Sequence, residues 1–532
     1  MEAHTSGTGI WSRRALLGGA AASVATSMAS SSGLAGNATR PFDLVIRGGL
    51  VVDGTGAPKR PADIGIVGGR IAMIGKANPA TRATRIIDVQ GKVVTPSFID
   101  PHAHGDPLQD TSFANFLTMG VTTITLGQDG ETPGYHHAPD PLPSMDLAAW
   151  RAASAATGLS LNIAPLVGHG TLRWRAGVDL AAVPSATQLA TMRRLLDADL
   201  VGGAFGLSSG LEYVPGIYSE TPELVALAQT VGARRGVVMS HMRSEDDDKI
   251  EGAIDELIAQ GRYAHVHISH LKVVLGKAVE RGQAILEKIA RARAEGIDLT
   301  ADVYPYNGGY ADITLVFPLW AKTADQLAVA RRDRGTELAD FVRARIVKRN
   351  GPDAILIAEG PYAGQTLAQA AAKADKPFWQ FAIEDLGANP WNCAHFTQDE
   401  AIQELFAASP LVAISTDGAP WISHPRSWAT YPKVLGEFVR ERNLLTLEAA
   451  IYKMTGLAAH CVGLTQRGRI AVGLAADLVV FDPATIAPQA TWTAPRAPAV
   501  GIDYVIVDGA LAVERGEVTG ARSGRILKRG RS

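Results

Sequence analysis

The chain has 532 residues, of which 46% are hydrophobic and 20% charged, and its formal net charge is −2. That composition describes a folded globular protein too long for one ordinary core, and it excludes disordered or fibrous chains. Charge is spread without basic or acidic blocks, so there is no footprint for nucleic acid or for an anionic membrane surface. With only Cys393 and Cys461, no disulfide framework is possible and at most one bridge could form.

In chain order, Ser12-Arg13-Arg14-Ala15-Leu16-Leu17 precedes a Gly/Ala/Ser-rich, weakly apolar stretch up to Ala29 and a small-residue region ending near Ala38. This is the layout of a twin-arginine export signal over residues 1–38, and it predicts a partner in the export machinery and a periplasmic or secreted destination. No later segment is long and apolar enough to insert stably in a membrane.

Residues 39–95 hold short β-rich runs punctuated by glycine: Leu44-Val45-Ile46, Leu50-Val51-Val52, Ile64-Gly65-Ile66-Val67, Ile71-Ala72-Met73-Ile74 and Arg85 to Val89. They read as a small antiparallel unit. The pattern returns within 463–532, in Ala476 to Phe481, Tyr504 to Val507 and Ala510 to Val513, so both chain ends are expected to build one β-sandwich.

Between them, over 96–462, eight short apolar runs lie near 97–102, 121–127, 160–167, 203–208, 236–241, 265–270, 298–305 and 411–417. Helical patterns such as Pro222 to Arg235 and Val279 to Glu295 separate most of them, which is the signature of an α/β fold of the TIM-like (β/α)8 barrel type. The gap before the last run predicts an insertion at about 320–400, carrying a charged helix from Asp325 to Arg349 and able to cover the barrel mouth.

Functional groups in such barrels sit at the carboxyl ends of the strands. His102 and His104 follow the first run two residues apart, so both side chains can point the same way and grip one metal ion. Asp129, His241, His270 and Asp417 close other runs on the same rim. His267 is the alternative to His270, because His265 and His267 share one face of that strand. Asp417, in Ser-Thr-Asp-Gly, can touch a metal and also take a proton from water.

Several motifs together carry a resemblance. They are Phe98-Ile99-Asp100 with His102 and His104, Gly120-Val121-Thr122-Thr123, Gly206 to Tyr213, Ser240-His241-Met242-Arg243, Ser269-His270-Leu271-Lys272, Tyr304-Pro305-Tyr306, and Asp417 with His424-Pro425-Arg426. In this order they resemble the amidohydrolase superfamily, and within it the N-acyl-D-amino-acid deacylases, over nearly all of the chain after the export segment.

The resemblance implies a metal-dependent hydrolase that cleaves the amide of small N-acyl-D-amino acids, using a Zn2+ centre of one or two divalent ions. It implies that His102 and His104 hold the weaker metal position, His241 and His270 the tighter one, and Asp417 acts as general base. Lys272, Tyr304 and Arg426 would hold the substrate carboxylate and Tyr213 would border the acyl pocket. In one place the chain departs from the family: Leu126-Gly127-Gln128-Asp129-Gly130 puts Asp129 where the family usually has a cysteine ligand, and a harder ligand weakens the preference for zinc.

Three rival functions fit the same barrel. A dipeptidase acting on D-amino-acid or isopeptide-linked dipeptides would use the same site with a longer acyl side. A cyclic-amide hydrolase of the hydantoinase or dihydropyrimidinase type would call for a lysine at the fourth strand, where the chain reads Leu207-Ser208-Ser209-Gly210. A non-catalytic binding protein would read Asp129 as a sign of decay.

Overall fold

Eight apolar runs become eight parallel strands because each is buried on both faces, which a strand closed into a barrel requires. In the computed structural model, which describes residues 41–78, 81–136, 144–180, 183–387 and 389–530, these are β1 (Phe98–Asp100), β2 (Val121–Leu126), β3 (Asn162–Pro165), β4 (Gly206–Gly210), β5 (Val237–His241), β6 (His265–Ile268), β7 (Leu299–Val303) and β8 (Val412–Ile414). The export segment expected at 1–38 lies outside the described residues, and all packing below belongs to the unit that starts at Phe42.

Strands β1, β2 and β3 pair in parallel, and β4 to β8 pair in parallel in sequence. Val167–Gly168, just after β3, pairs with β4 and joins the two sheets. The remaining seam lies between β1 and β8. Ala103 pairs with Gly418 there, Asp417 N donates to His102 O at 2.8 Å, and His104 N donates to Gly418 O at 2.8 Å. The seam that closes the barrel is thus made by the same residues that carry the first two histidines and the last aspartate.

Helices cover the outside through apolar stripes at helical spacing. Thr221–Ala233 has Pro222 in its first turn, where the missing N–H costs nothing, and buries Leu224, Leu227, Ala228 and Val231. Among the described residues, no helix is long and apolar enough to cross a membrane. Cys393 and Cys461 are both buried and free.

The two chain ends share one sheet and one core. Strand Leu478–Phe481 from the C-terminal region pairs with Val93–Pro96 from the N-terminal region, and Ile64, Ile66, Val94, Leu478, Val480 and Ile506 pack together. Two expectations for this region are corrected. The runs at Leu44 and Leu50 form a single strand, Phe42–Val51, bent by a register shift between Ile46 and Gly49. The unit is also not purely antiparallel: Ala83–Asp88 and Val93–Pro96 both run parallel to Phe42–Val51, because the connection after Gly75 is long enough to bring the chain back on the opposite edge. Near the C-terminus, Ile163 N donates to Arg525 O and Leu527 N to Ile163 O, so the tail lies along β3.

The insertion before β8 has its own core and starts earlier than its composition suggests. Its three-stranded antiparallel sheet consists of Gly309–Asp312, Asn392–His395 and Ile355–Ile357, packed on helices through Ile313, Val342, Ile346, Leu367 and Phe381. The charged helix expected from Asp325 to Arg349 is two helices, Ala324–Asp333 and Gly335–Lys348. The break falls at Arg334 (φ −136°, ψ 30°), beside a glycine that resists helix continuation. Arg345 and Arg349 reach down to Asp246, just beyond β5, at 2.7 and 3.3 Å, which sets the insertion over the carboxyl end of the barrel.

Two buried aspartates inside the barrel tie the strand ends together. Asp100 accepts from His102 N at 3.2 Å, Thr416 N at 3.1 Å and Thr416 Oγ1 at 2.5 Å. Asp302 accepts from His270 N at 2.9 Å, Ser415 Oγ at 2.5 Å and His267 Nε2 at 2.6 Å. Burial disfavours the charged form of His267, but the neighbouring Cys461 sulfur and the Asp302 carboxylate outweigh it and raise the imidazole to about 10. A histidine at 6.5 in the unfolded chain and about 10 in the fold contributes stability that is whole below pH 6.5 and is lost as pH rises through 10. In urea melts, the stability advantage of the native protein over His267→Gln should therefore shrink between those two pH values. An advantage that stays constant across the window would exclude a charged His267.

Candidate metal centre

Five strand ends deliver six side chains to one point. His102 and His104 follow β1, Asp129 follows β2, His241 ends β5, His270 follows β6 and Asp417 follows β8. Asp129, His270 and Asp417 have φ of 55°, 36° and 48°, in the left-handed region, where a non-glycine residue costs of order 1–3 kcal/mol. Three such residues on one rim mark a place where the backbone is bent to aim its side chains.

His102 Nε2 lies 3.5 Å from Asp129 Oδ1 and 3.6 Å from Asp417 Oδ1, while His104 Nε2 lies 3.6 Å from Asp129 Oδ2 and 3.3 Å from Asp417 Oδ1. On the other side His241 Nδ1 and His270 Nε2 are 3.0 Å apart, and His270 Nε2 is 3.9 Å from Asp129 Oδ1. Asp129 belongs to both groups, so its carboxylate stands between the two histidine pairs.

These residues fit a divalent ion. Donor atoms at about 2.0–2.2 Å from one ion lie roughly 3–3.6 Å from each other, and the distances from His102 and His104 to Asp129 and Asp417 fall in that range. Both ring nitrogens of His102 and Asp129 Oδ1 are buried and make no hydrogen bond. Stranding such atoms costs about 1–3 kcal/mol each unless something else satisfies them. Burial, then the charge of His270, pushes His102 far below its ordinary value, and burial with Lys272 does the same to His270, so both keep a lone pair to donate.

A second ring of groups orients the first. Glu212 Oε2 is 3.2 Å from His241 Nε2, and Glu245 Oε1 is 3.0 Å from His270 Nδ1. Glu212 on the far nitrogen of His241 fixes the tautomer that leaves Nδ1 free to ligate, whereas His270 Nδ1 faces the Lys272 ammonium as well as Glu245. Sequence alone assigns no role to Glu212, Glu245, Asp100 or Asp302; the last two have one visible signal, a carboxylate inside an otherwise apolar strand run.

The remaining expected residues are also gathered here. Lys272 Nζ is 2.6 Å from Glu245 and 2.8 Å from His270 Nδ1. The Tyr304 ring lies 5.7 Å from Lys272 Nζ and 4.9 Å from Arg426 Cζ. Arg426 reaches Asp417 Oδ2 at 2.8 Å. Burial opposes ionisation of Asp417, yet Arg426 and the histidines hold its carboxyl well below the usual range. Across the centre, the Tyr213 ring stands 4.4 Å from that of His241 and lines a cavity of about 460 Å³ with Asp129, Gln128, Trp174 and Pro215. His267 is bound to Asp302 beneath the centre and stands apart from it, which removes it as the alternative to His270.

The chain matches the model of the amidohydrolase family over residues 85–513, and that of the urease alpha-subunit N-terminal domain over residues 14–95. It is 37% identical over 509 residues to an N-acyl-D-glutamate deacylase of Alcaligenes xylosoxydans xylosoxydans, covering 92% of this chain and 97% of that one. A crystal structure of N-acyl-D-glutamate deacylase from Bordetella bronchiseptica, complexed with zinc and a phosphonate mimic of the tetrahedral intermediate, superposes with a TM-score of 0.80 at 33% identity, covering 92% of this chain and 100% of that one. A D-aminoacylase structure, described for its binuclear metal centre, gives 0.79 at 34% identity with the same coverage. The chain belongs to the amidohydrolase family.

Proposed function

We propose that this protein hydrolyses the amide bond of N-acyl-D-amino acids, releasing a carboxylate and a D-amino acid. The observation that carries the reading is the placement of Asp417 between the histidine cluster and Arg426, with Tyr304 and Lys272 beside it. A base thus stands next to cations suited to a substrate carboxylate.

His102, His104, Asp129, His241 and His270 would hold a divalent ion, zinc by analogy with the Bordetella deacylase, and such an ion supplies a Lewis acid for the amide carbonyl and acidifies water. Asp417, kept ionised by Arg426, takes a proton from the attacking water as the oxygen bonds to the carbonyl carbon. When the C–N bond breaks, Asp417 returns that proton to the departing amine nitrogen. Arg426 and Lys272 offer charge-assisted hydrogen bonds to the substrate carboxylate, and Tyr304 walls the space between them. The acyl group would face Tyr213 and its cavity, which has room for far more than an acetyl group. That room also favours a second substrate class, dipeptides with a C-terminal D-residue.

Replacing Asp417 by Asn should lower kcat by about 10²–10⁴-fold while the metal content stays unchanged. Unimpaired turnover would exclude Asp417 as the base. In the same assay, the native enzyme should hydrolyse N-acetyl-D-amino acids and leave the L-enantiomers intact; L-selective hydrolysis, or cleavage of cyclic amides alone, would contradict the proposed activity.

We also propose that residues 1–38 direct the protein through the twin-arginine route to the periplasm or beyond, on the strength of Arg13-Arg14 and the weakly apolar stretch after them. Changing both arginines to lysine should retain the protein in the cytoplasm on fractionation. Undiminished export would contradict that route.

A further inference from the structure

A second cluster of metal-capable side chains lies at the opposite end of the barrel. His265 opens β6, Asp298 immediately precedes β7, and His460 sits on the helix Gly456–Val462 that follows β8. One donor atom from each lies within 4.8 Å of the others. His460 Nε2 is 3.4 Å from Asp298 Oδ1, and the His265 and His460 rings stack at 5.2 Å between centroids. The catalytic proposal uses none of these residues.

The local chemistry favours a cation. His265 Nε2 is tied to Thr300 Oγ1 at 2.9 Å, which fixes the ring and, with the hydroxyl accepting, leaves Nδ1 with its lone pair. His460 and Asp298 are half-exposed, at 50% and 47% of their side-chain surface, and leave water free to complete the coordination. Two imidazoles and one carboxylate with open positions suit first-row divalent ions such as Zn²⁺, Co²⁺ and Ni²⁺.

We infer that His265, Asp298 and His460 form a separate binding site for a divalent transition-metal ion, pinning the last barrel helix to the amino ends of β6 and β7. Such an ion binds only the folded chain with all three ligands in place, so it stabilises the fold by mass action. The inference is independent of the proposed substrate and of the catalytic centre.

The test is calorimetric titration of Zn²⁺ into metal-depleted full-length enzyme, with His460→Ala and Asp298→Asn in parallel. One further equivalent is expected in the native protein compared with either variant, together with a larger Zn²⁺-dependent rise in Tm than either variant shows. Turnover should be the same in all three, which also shows that the variants fold. The absence of a further equivalent in the native protein, or its retention in both variants, would overturn the site.

Discussion

The structure depends on compensating negative charge gathered at one end of a barrel. Asp129, Asp417, Glu212 and Glu245 converge within a few ångströms of four imidazoles. Removing carboxylates from water costs several kcal/mol each unless they are paired or coordinate a metal. Arg426 and Lys272 answer part of that charge, at Asp417 and Glu245 respectively. Asp129 has no such partner: its buried Oδ1 makes no hydrogen bond, and burial raises its carboxyl above the ordinary value. A divalent ion on either side of that carboxylate completes the balance.

The scaffold is arranged to hold this convergence. The seam between β1 and β8 is closed by backbone hydrogen bonds from the histidine and aspartate segments themselves, so barrel closure and site assembly are one event. Asp100 and Asp302 brace the backbone just below, the first through His102 and Thr416, the second through His270 and Ser415. The left-handed conformations at His270 and Asp417 are affordable because these braces hold the backbone at and beside them. The insertion is tied to the barrel by Arg345 and Arg349, which grip Asp246 just beyond β5.

Much of this was legible in the residues. Buried parallel strands read as continuous apolar runs, so all eight barrel strands appeared in order, and their carboxyl ends named His102, His104, Asp129, His241, His270 and Asp417. What stayed hidden depends on contacts distant in sequence. The pairing of Ala83–Asp88 parallel to Phe42–Val51 follows from a crossover that periodicity does not encode. The break at Arg334 depends on a local conformation within a stretch rich in helix formers. Glu212 and Glu245 look like ordinary solvated acids until the fold places them against imidazole nitrogens. His270 is favoured over His267 by its place at the strand end, and the partner that claims His267, Asp302, is visible only in the fold.

The central claim is that one carboxylate, Asp129, shares a divalent ion or ions with two histidine pairs. Anomalous diffraction at the zinc absorption edge, from crystals of the zinc-loaded protein, tests it most directly. The account predicts density within coordinating distance of Asp129 and of at least one of the pairs His102–His104 and His241–His270. Anomalous density found only elsewhere in the molecule, with these five side chains bound to no ion, would contradict it.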